Sequence, residues 1–415
     1  MVGRIIIYAS SHGWGHNARL IPIIDQLWEY PIEIVSTAPE WFIKTSLKHK
    51  RNKQVIVRSI KTDPGCTQID PFTINEEVSI NNWIDNWKNK DSLLEEEVKY
   101  LLNGPPVCLI ISDISYFGQL VAEKLKVPSI CVATFDWEFV YQNIMPKNPE
   151  LASILKEVTE ISKRFDYCLV PGTICEPLNI GKERVTFHWL SRKPTISSTE
   201  MRQKLNLNLY MDSVLLSFGG HTLNKIPPHI WSQYGNIQFY VLMDSSEVTK
   251  EPAENVHFLP NQEWSKMHSD LINTVDCVFG KVGYGLCSEI INCKKPFLNV
   301  ASNWNPESQV LEKFMKTTVP IQTITEEQFL NGDWQALINL IESERDPDVL
   351  TDVPVDGEVQ IANWIRNKLG DKEPCGLRKQ YCIFLVFLLI IIWILLTVYS
   401  KPLVHKGSSG YMEEV

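Results

Sequence analysis

At 415 residues the chain exceeds what one compact core holds, so more than one domain is expected. A composition of 44% hydrophobic and 21% charged residues is that of a globular protein, and a net charge of -9 argues against nucleic acid as a partner, because a phosphate-binding surface is basic. The 10 cysteines stand singly, several in apolar runs (Cys108, Cys131, Cys168, Cys277), and suggest reduced core residues, with neither a disulfide frame nor a CxxC metal pair.

The first element is an apolar run, Ile5, Ile6 and Ile7, β-branched and continuous as a strand buried on both faces requires. It breaks into a loop carrying His12, Gly13, Gly15 and His16. Ala18, Ile21, Ile24, Leu27 and Trp28 then follow at three- and four-residue steps, which predicts a helix. Strands are predicted at 32–36, 55–60, 107–111, 129–133 and 167–170, and helices at 81–102, 118–125 and 151–164; residues 61–80 and the segment with Asp136, Trp137 and Glu138 are read as loops. Alternation of this kind implies a parallel α/β sheet, whose ligands bind beyond the C-terminal strand ends. His16, Asp113 and Asp136 all fall there.

The pattern restarts after a Pro-, Ser- and Thr-rich stretch. Strands are predicted at 213–217, 239–243, 277–279 and 296–300, with glycine loops at Gly219-Gly220-His221 and at 280–285, the second opening a helix over 286–292. A last helix is predicted at 357–369. Residues 381–400, YCIFLVFLLIIIWILLTVYS, carry no charge, and about 20 residues at ~1.5 Å each span a bilayer's ~30 Å core. With no apolar leader ahead of it, this run is expected to be a C-terminal anchor that leaves the bulk of the chain in the cytosol. The expected domains are 1–190, a linker at 191–211, 212–345, a connection and crossover helix at 346–370, the transmembrane helix at 381–400, and a tail at 401–415.

Two constellations carry chemistry. A histidine at a helix mouth becomes a general base when a carboxylate holds its other ring nitrogen, and His16 with Asp113 fits, with His12 as the competing base. In the second half, glycine loops that precede helices offer N–H groups to a diphosphate. Glu289, in the first turns after Gly285, suits either ribose hydroxyls or the helix dipole. The spelling Gly13-x-Gly15-x-x-Ala18 matches the dinucleotide fingerprint, but strand 32–36 ends in Ser36-Thr37-Ala38 without the acidic residue that would hold a ribose. Asp346-Pro347-Asp348 reads as a turn and supplies no metal site.

The segments SSHGWGHNAR, SDISYFGQLVAEKLKVPSICVATFDWEFVY, LSFGGHT and VFGKVGYGLCSEIINCKKPFLNV, in this order, resemble the GT-B superfamily of glycosyltransferases. The likeness is greatest to the glycosyltransferase-like N-terminal domain of plant-type arabinokinases, here without the kinase domain. It extends more distantly to UDP-glycosyltransferases and the GlcNAc transferase of the peptidoglycan lipid intermediate. The resemblance implies an α/β fold of two tandem Rossmann-like, doubly wound domains facing a cleft. It also implies a nucleotide-sugar donor, UDP-linked, held by Gly219, Gly220, His221, Gly283, Tyr284 and Gly285 at the diphosphate and by Glu289 at the ribose. Phe258 and Leu259 would meet the base, and Glu307 and Gln309 the sugar. His16 and Asp113 are similar to the catalytic dyad of inverting members, and His12, Gly13, Gly15, Asp136 and Trp137 fall on the acceptor side.

The expected function is inverting, metal-independent and cofactor-free sugar transfer to an acceptor that the sequence leaves open, with a lipid or membrane protein among the candidates. The alternatives are a non-catalytic nucleotide-sugar-binding or recruiting module on a membrane, and a nucleotide-sugar epimerase of the same fold.

Overall fold

The computed structural model describes residues 3–48, 54–219, 226–243, 253–302, 304–343 and 351–370. Gly220, His221 and the apolar run 381–400 lie outside these. No helix among the described residues is long and apolar enough to cross a membrane.

Gly3–Leu369 form one compact unit built on two parallel sheets. The first comprises β1 (Arg4–Ala9), β2 (Ile32–Val35), β3 (Val55–Arg58), β4 (Val107–Asp113), β5 (Ser129–Val132), β6 (Tyr167–Pro171) and β7 (Glu183–Phe187), in the order β3-β2-β1-β4-β5-β6-β7. The second comprises β8 (Asp212–Ser217), β9 (Ile237–Met243), β10 (Val256–Pro260), β11 (Cys277–Gly280), β12 (Phe297–Val300) and β13 (Ile321–Ile324), in the order β10-β9-β8-β11-β12-β13. Helices of the first half are α1 (Gly15–Gln26), α2 (Glu40–Ser46), α3 (Glu76–Leu102), α4 (Phe117–Leu125), α5 (Trp137–Tyr141) and α6 (Pro149–Ser162). Those of the second are α7 (Ser198–Lys204), α8 (Pro228–Gln233), α9 (Asn261–Trp264), α10 (His268–Thr274), α11 (Tyr284–Cys293), α12 (Pro306–Met315), α13 (Glu326–Asn331), α14 (Gln335–Glu342) and α15 (Gly357–Leu369).

β1 is buried along its whole length, because helices cover both faces of a parallel sheet. The strand order reverses on either side of β1 and β4 in the first sheet, and of β8 and β11 in the second. At such switch points the connections leave in opposite directions and open a crevice at the strand tips. Ala9 pairs with Asp113 at one tip, and Ser217 with Gly280 at the other. α15 returns to the first sheet's helices: Arg366 binds Glu29 and the Gln26 carbonyl, and the Trp364 ring lies 4.7 Å from Tyr167.

Three strands exceed the sequence expectation. β7, β10 and β13 are all edge strands; β7 and β13 have few apolar residues, and β10 is broken by His257 and ends in Pro260. α1 stops at Gln26, and Trp28 is 58% exposed, off the helix on which its spacing places it. The segment at Trp137, read as a loop, is a short helix capped by Asp136.

Candidate active site

A cavity of about 360 Å³ lies where the two crevices meet. From the first half it is lined by His12, Gly13, Trp14, Gly15, His16, Arg19, Phe135 and Trp137; from the second by Arg192, Ser217, Gly219, His268, Lys281, Gly283, Tyr284, Gly285, Trp304 and Glu307, among others. Gly13 takes φ +66°, the left-handed turn that lets the chain leave β1 and enter α1 within a few residues. His16 follows in the first turn of α1 and is 7% exposed.

His16 Nδ1 lies 2.6 Å from Asp113 Oδ1. A carboxylate only accepts, so Nδ1 donates and Nε2 is the nitrogen left to take a proton. Asp113 is also gripped by Arg19, whose Nε donates to Oδ2 at 2.9 Å and Nη2 to Oδ1 at 2.5 Å. Burial works against the Asp113 charge, but Arg19 and then His16 outweigh it and hold the carboxyl below its ordinary range. Arg19 is the residue that sequence reasoning missed here. Its signal is the three-residue step from His16, which places both side chains on one face of α1. The Arg19 guanidinium stands 5.1 Å over the ring of Tyr284, so the dyad is tied across the cleft to α11.

On the opposite wall, α11 begins after Gly283, which offers no capping side chain. The first-turn N–H groups are therefore without a side-chain partner at the cavity, the arrangement that binds anions. A Cβ on Gly280 would come within 2.2 Å of the Ser217 carbonyl oxygen, so only glycine allows β11 to close on β8 here. Lys281 joins this wall and donates from Nζ to the Pro71 carbonyl at 2.6 Å. Burial lowers its pKa to about 8.

Several expected ligands sit elsewhere. Glu289 is 2% exposed and off the cavity wall, with one oxygen bound by Arg192 and the other by His268. Burial opposes its charge, but these two partners hold its carboxyl below the ordinary range. Arg192 and His268 do line the cavity, so Glu289 stands behind them and does not face the space itself. Neither was read from the sequence, because one lies between β7 and α7 and the other at a helix start without a motif. Asp136 caps α5 through Phe139 N and binds Asn179, which uses both of its oxygens. Gln309 is exposed on α12, and Phe258 and Leu259 pack in β10; none of the three lines the cavity. Glu307 does line it. Its carboxyl is raised by burial, with Arg19 and His16 opposing, and its Oε1 has no hydrogen-bond partner.

No protein-family model matches the chain. Among solved structures, the glycosyltransferase of kitacinnamycin has a TM-score of 0.61 at 13% identity over 89% of this chain and 100% of its own. The calicheamicin glycosyltransferase has a TM-score of 0.58 at 13% identity over 90% of this chain and 100% of its own. The fold is GT-B. A UDP-glucosyltransferase of Polygonum tinctorium shares it, with a TM-score of 0.59 at 11% identity over 89% of this chain and 99% of its own. An L-arabinokinase of Arabidopsis thaliana is 24% identical over 335 residues, 79% of this chain and 31% of the arabinokinase. The chain thus spans about a third of that relative's length.

Proposed function

We propose that this GT-B chain transfers a sugar from a nucleotide-diphosphate sugar, UDP-linked, to an acceptor hydroxyl with inversion. The observation that carries the reading is one cavity with the His16–Asp113 pair on one wall and the open N-terminus of α11 beside Lys281 on the other. A Phytolacca americana relative by fold, with a TM-score of 0.53, is described in complex with UDP-2-fluoroglucose and pterostilbene, which suits a donor of that class.

In this mechanism the acceptor oxygen attacks the anomeric carbon as its proton passes to His16 Nε2. The bond from that carbon to the diphosphate breaks, and the leaving oxygen takes the electron pair. Asp113 fixes the tautomer of His16 and stabilises the imidazolium. The α11 N–H groups and Lys281 offset the charge on the departing diphosphate. Arg192 and His268, backed by Glu289, stand where the nucleotide enters.

One observation favours the non-catalytic alternative. Arg19 already neutralises Asp113, so less of that charge is available to stabilise an imidazolium. Calorimetry with UDP, followed by product mass spectrometry over a UDP-sugar panel, decides. UDP binding without turnover, unchanged by His16→Ala, selects the module; absence of UDP binding removes both readings. For location, we propose a bilayer anchor at the uncharged run 381–400, with the GT-B body on the cytosolic side; the length of the run supports the anchor alone. Release of the full chain from membranes by carbonate would refute that anchor.

A further inference from the structure

The connection from β3 to α3 joins the two halves of the molecule. Its base is fastened to the first half: the Gly65 carbonyl accepts from the Tyr141 hydroxyl at 2.6 Å and from Trp83 Nε1 at 3.2 Å, and the backbone of Cys66 meets His12 Nδ1 at 3.1 Å. The chain then folds into a hairpin, in which Ile69 N donates to the Thr73 carbonyl at 2.9 Å and Asn75 N to the Thr67 carbonyl at 2.8 Å. Asp70 Oδ1 accepts from Phe72 N and Thr73 N, each at 2.9 Å, and so fixes the turn. The tip of the hairpin reaches the second half. Phe72 packs on the core cluster of the second sheet, its ring 5.6 Å from Phe218 and 5.7 Å from Phe329, and the Pro71 carbonyl accepts from Lys281 Nζ at 2.6 Å.

Both partners of the tip belong to the wall on which an anion would sit. Phe218 follows β8 and precedes Gly219, Lys281 follows β11 directly, and both residues line the cavity, whereas Phe72 does not. Parting the halves here would expose Phe72, Phe218 and Phe329 to water and leave Lys281 without its carbonyl. We propose that Phe72 and the 67–75 hairpin are a clamp across the cleft that positions Lys281, so that closure of the clamp and binding of a diphosphate reinforce each other. The identity of the anion rests on the nucleotide-sugar reading; the clamp adds what holds its binding wall in place. An ammonium makes a stronger hydrogen bond to a carbonyl than a neutral amine does, and a bound diphosphate keeps Lys281 charged. The ligand thereby tightens the bond from Lys281 to Pro71, and by linkage a closed clamp tightens the ligand. Phe72 is a positioning residue, acting on the anion only through Lys281.

The test is a double-mutant cycle on the full chain in detergent, with Phe72→Ala, Lys281→Met and the pair together. Calorimetry measures the affinity for UDP and for inorganic pyrophosphate, and amide hydrogen exchange follows residues 67–75. In the parent chain either ligand is expected to slow exchange of the hairpin. Phe72→Ala should speed that exchange and weaken both ligands about tenfold, a factor ordinary for coupled sites. In the Lys281→Met background the same substitution should change ligand affinity less than about twofold, and ligand should no longer slow the hairpin. Phe72→Leu, which keeps an apolar plug, should fall between parent and Phe72→Ala and keeps the cycle decisive if the alanine variant does not fold. The clamp is overturned if Phe72→Ala leaves hairpin exchange or UDP affinity as in the parent. An equal loss of affinity with and without Lys281 overturns the coupling through that residue. Failure of the parent to bind either UDP or pyrophosphate overturns the donor reading and the coupling with it, while faster hairpin exchange in Phe72→Ala would still establish the clamp.

Discussion

Arg19 grips Asp113 with two nitrogens while His16 shares one of the same oxygens, so a single buried carboxylate serves a structural and a chemical partner. Asp113→Asn therefore acts twice. It leaves the Arg19 guanidinium buried without its counter-charge, which costs about 3–5 kcal/mol of stability, measured by denaturant unfolding. It also lets the tautomer of His16 reverse, and turnover is expected to fall by about 10²–10⁴. His16→Ala should lower turnover over the same range with little change in unfolding, because the Arg19–Asp113 pair survives it. If the two variants lose equal stability, Arg19 is not the main partner of Asp113.

The Arg192–Glu289–His268 cluster predicts that Glu289 matters more to stability than to nucleotide contact. Glu289→Gln takes the counter-charge from Arg192 and a carboxylate partner from His268 and is expected to cost about 1.5–3 kcal/mol, with a smaller, indirect effect on UDP affinity. The sign with pH follows from its lowered pKa. Its contribution is fully present above the unfolded glutamate value near ~4.3 and is lost as pH falls through the lower folded value. Acid unfolding midpoints of parent and variant check this; a variant that loses UDP binding while keeping its stability would put Glu289 back at the ribose.

How much of this is visible in the sequence depends on whether a residue sits in a pattern. The triple isoleucine of β1 and the glycine loops mark strand tips by local chemistry, and the His16–Asp113 pairing follows once those tips share a sheet. Arg192 carries no local signal, since it acts through a partner more than 90 residues away in the chain, and Arg19 offers only its three-residue step from His16. Glu289 shows the opposite failure. Its position after the glycine loop is the expected one, but Arg192 from the linker takes the oxygen that motif reading assigns to a ligand. Asp136 fails for a local reason, as a helix cap whose spacing to Phe139 is readable only when α5 is recognised as a helix. The edge strands β7 and β13 are missed because an edge needs no continuous apolar run.

Lys281 gives a prediction at alkaline pH. Burial lowers its pKa to about 8, so in the free protein the charge opposite the cavity fades above that value. UDP affinity is expected to fall above pH 8, by up to tenfold per unit, with proton uptake on binding. Stability should move the other way. Between pH 8 and ~10.4 the unfolded chain holds a proton that the folded chain has lost, so folding is favoured as pH rises. Calorimetry in buffers of different ionisation enthalpy reads the uptake. Lys281→Met should remove it and flatten the pH dependence; persistence of both in that variant would assign them to another group.

Gly280 tests the geometry of the second switch point. A Cβ there would meet the Ser217 carbonyl oxygen at 2.2 Å and the Leu286 side chain at 3.2 Å. The first neighbour is backbone in an adjacent strand and cannot rotate away, so relief requires β8 and β11 to part at the tip that forms the cavity floor. Gly280→Ala is expected to cost about 1–3 kcal/mol by overpacking and to weaken UDP binding more than the stability loss accounts for, since Lys281 and Gly283 move with the strand end. Gly285→Ala is the control: a Cβ at Gly285 meets nothing within 4 Å. It should hold stability or raise it by up to about 1 kcal/mol, as alanine is the better helix former. Equal unfolding midpoints for the two variants would show that the strand tips are not held in this register.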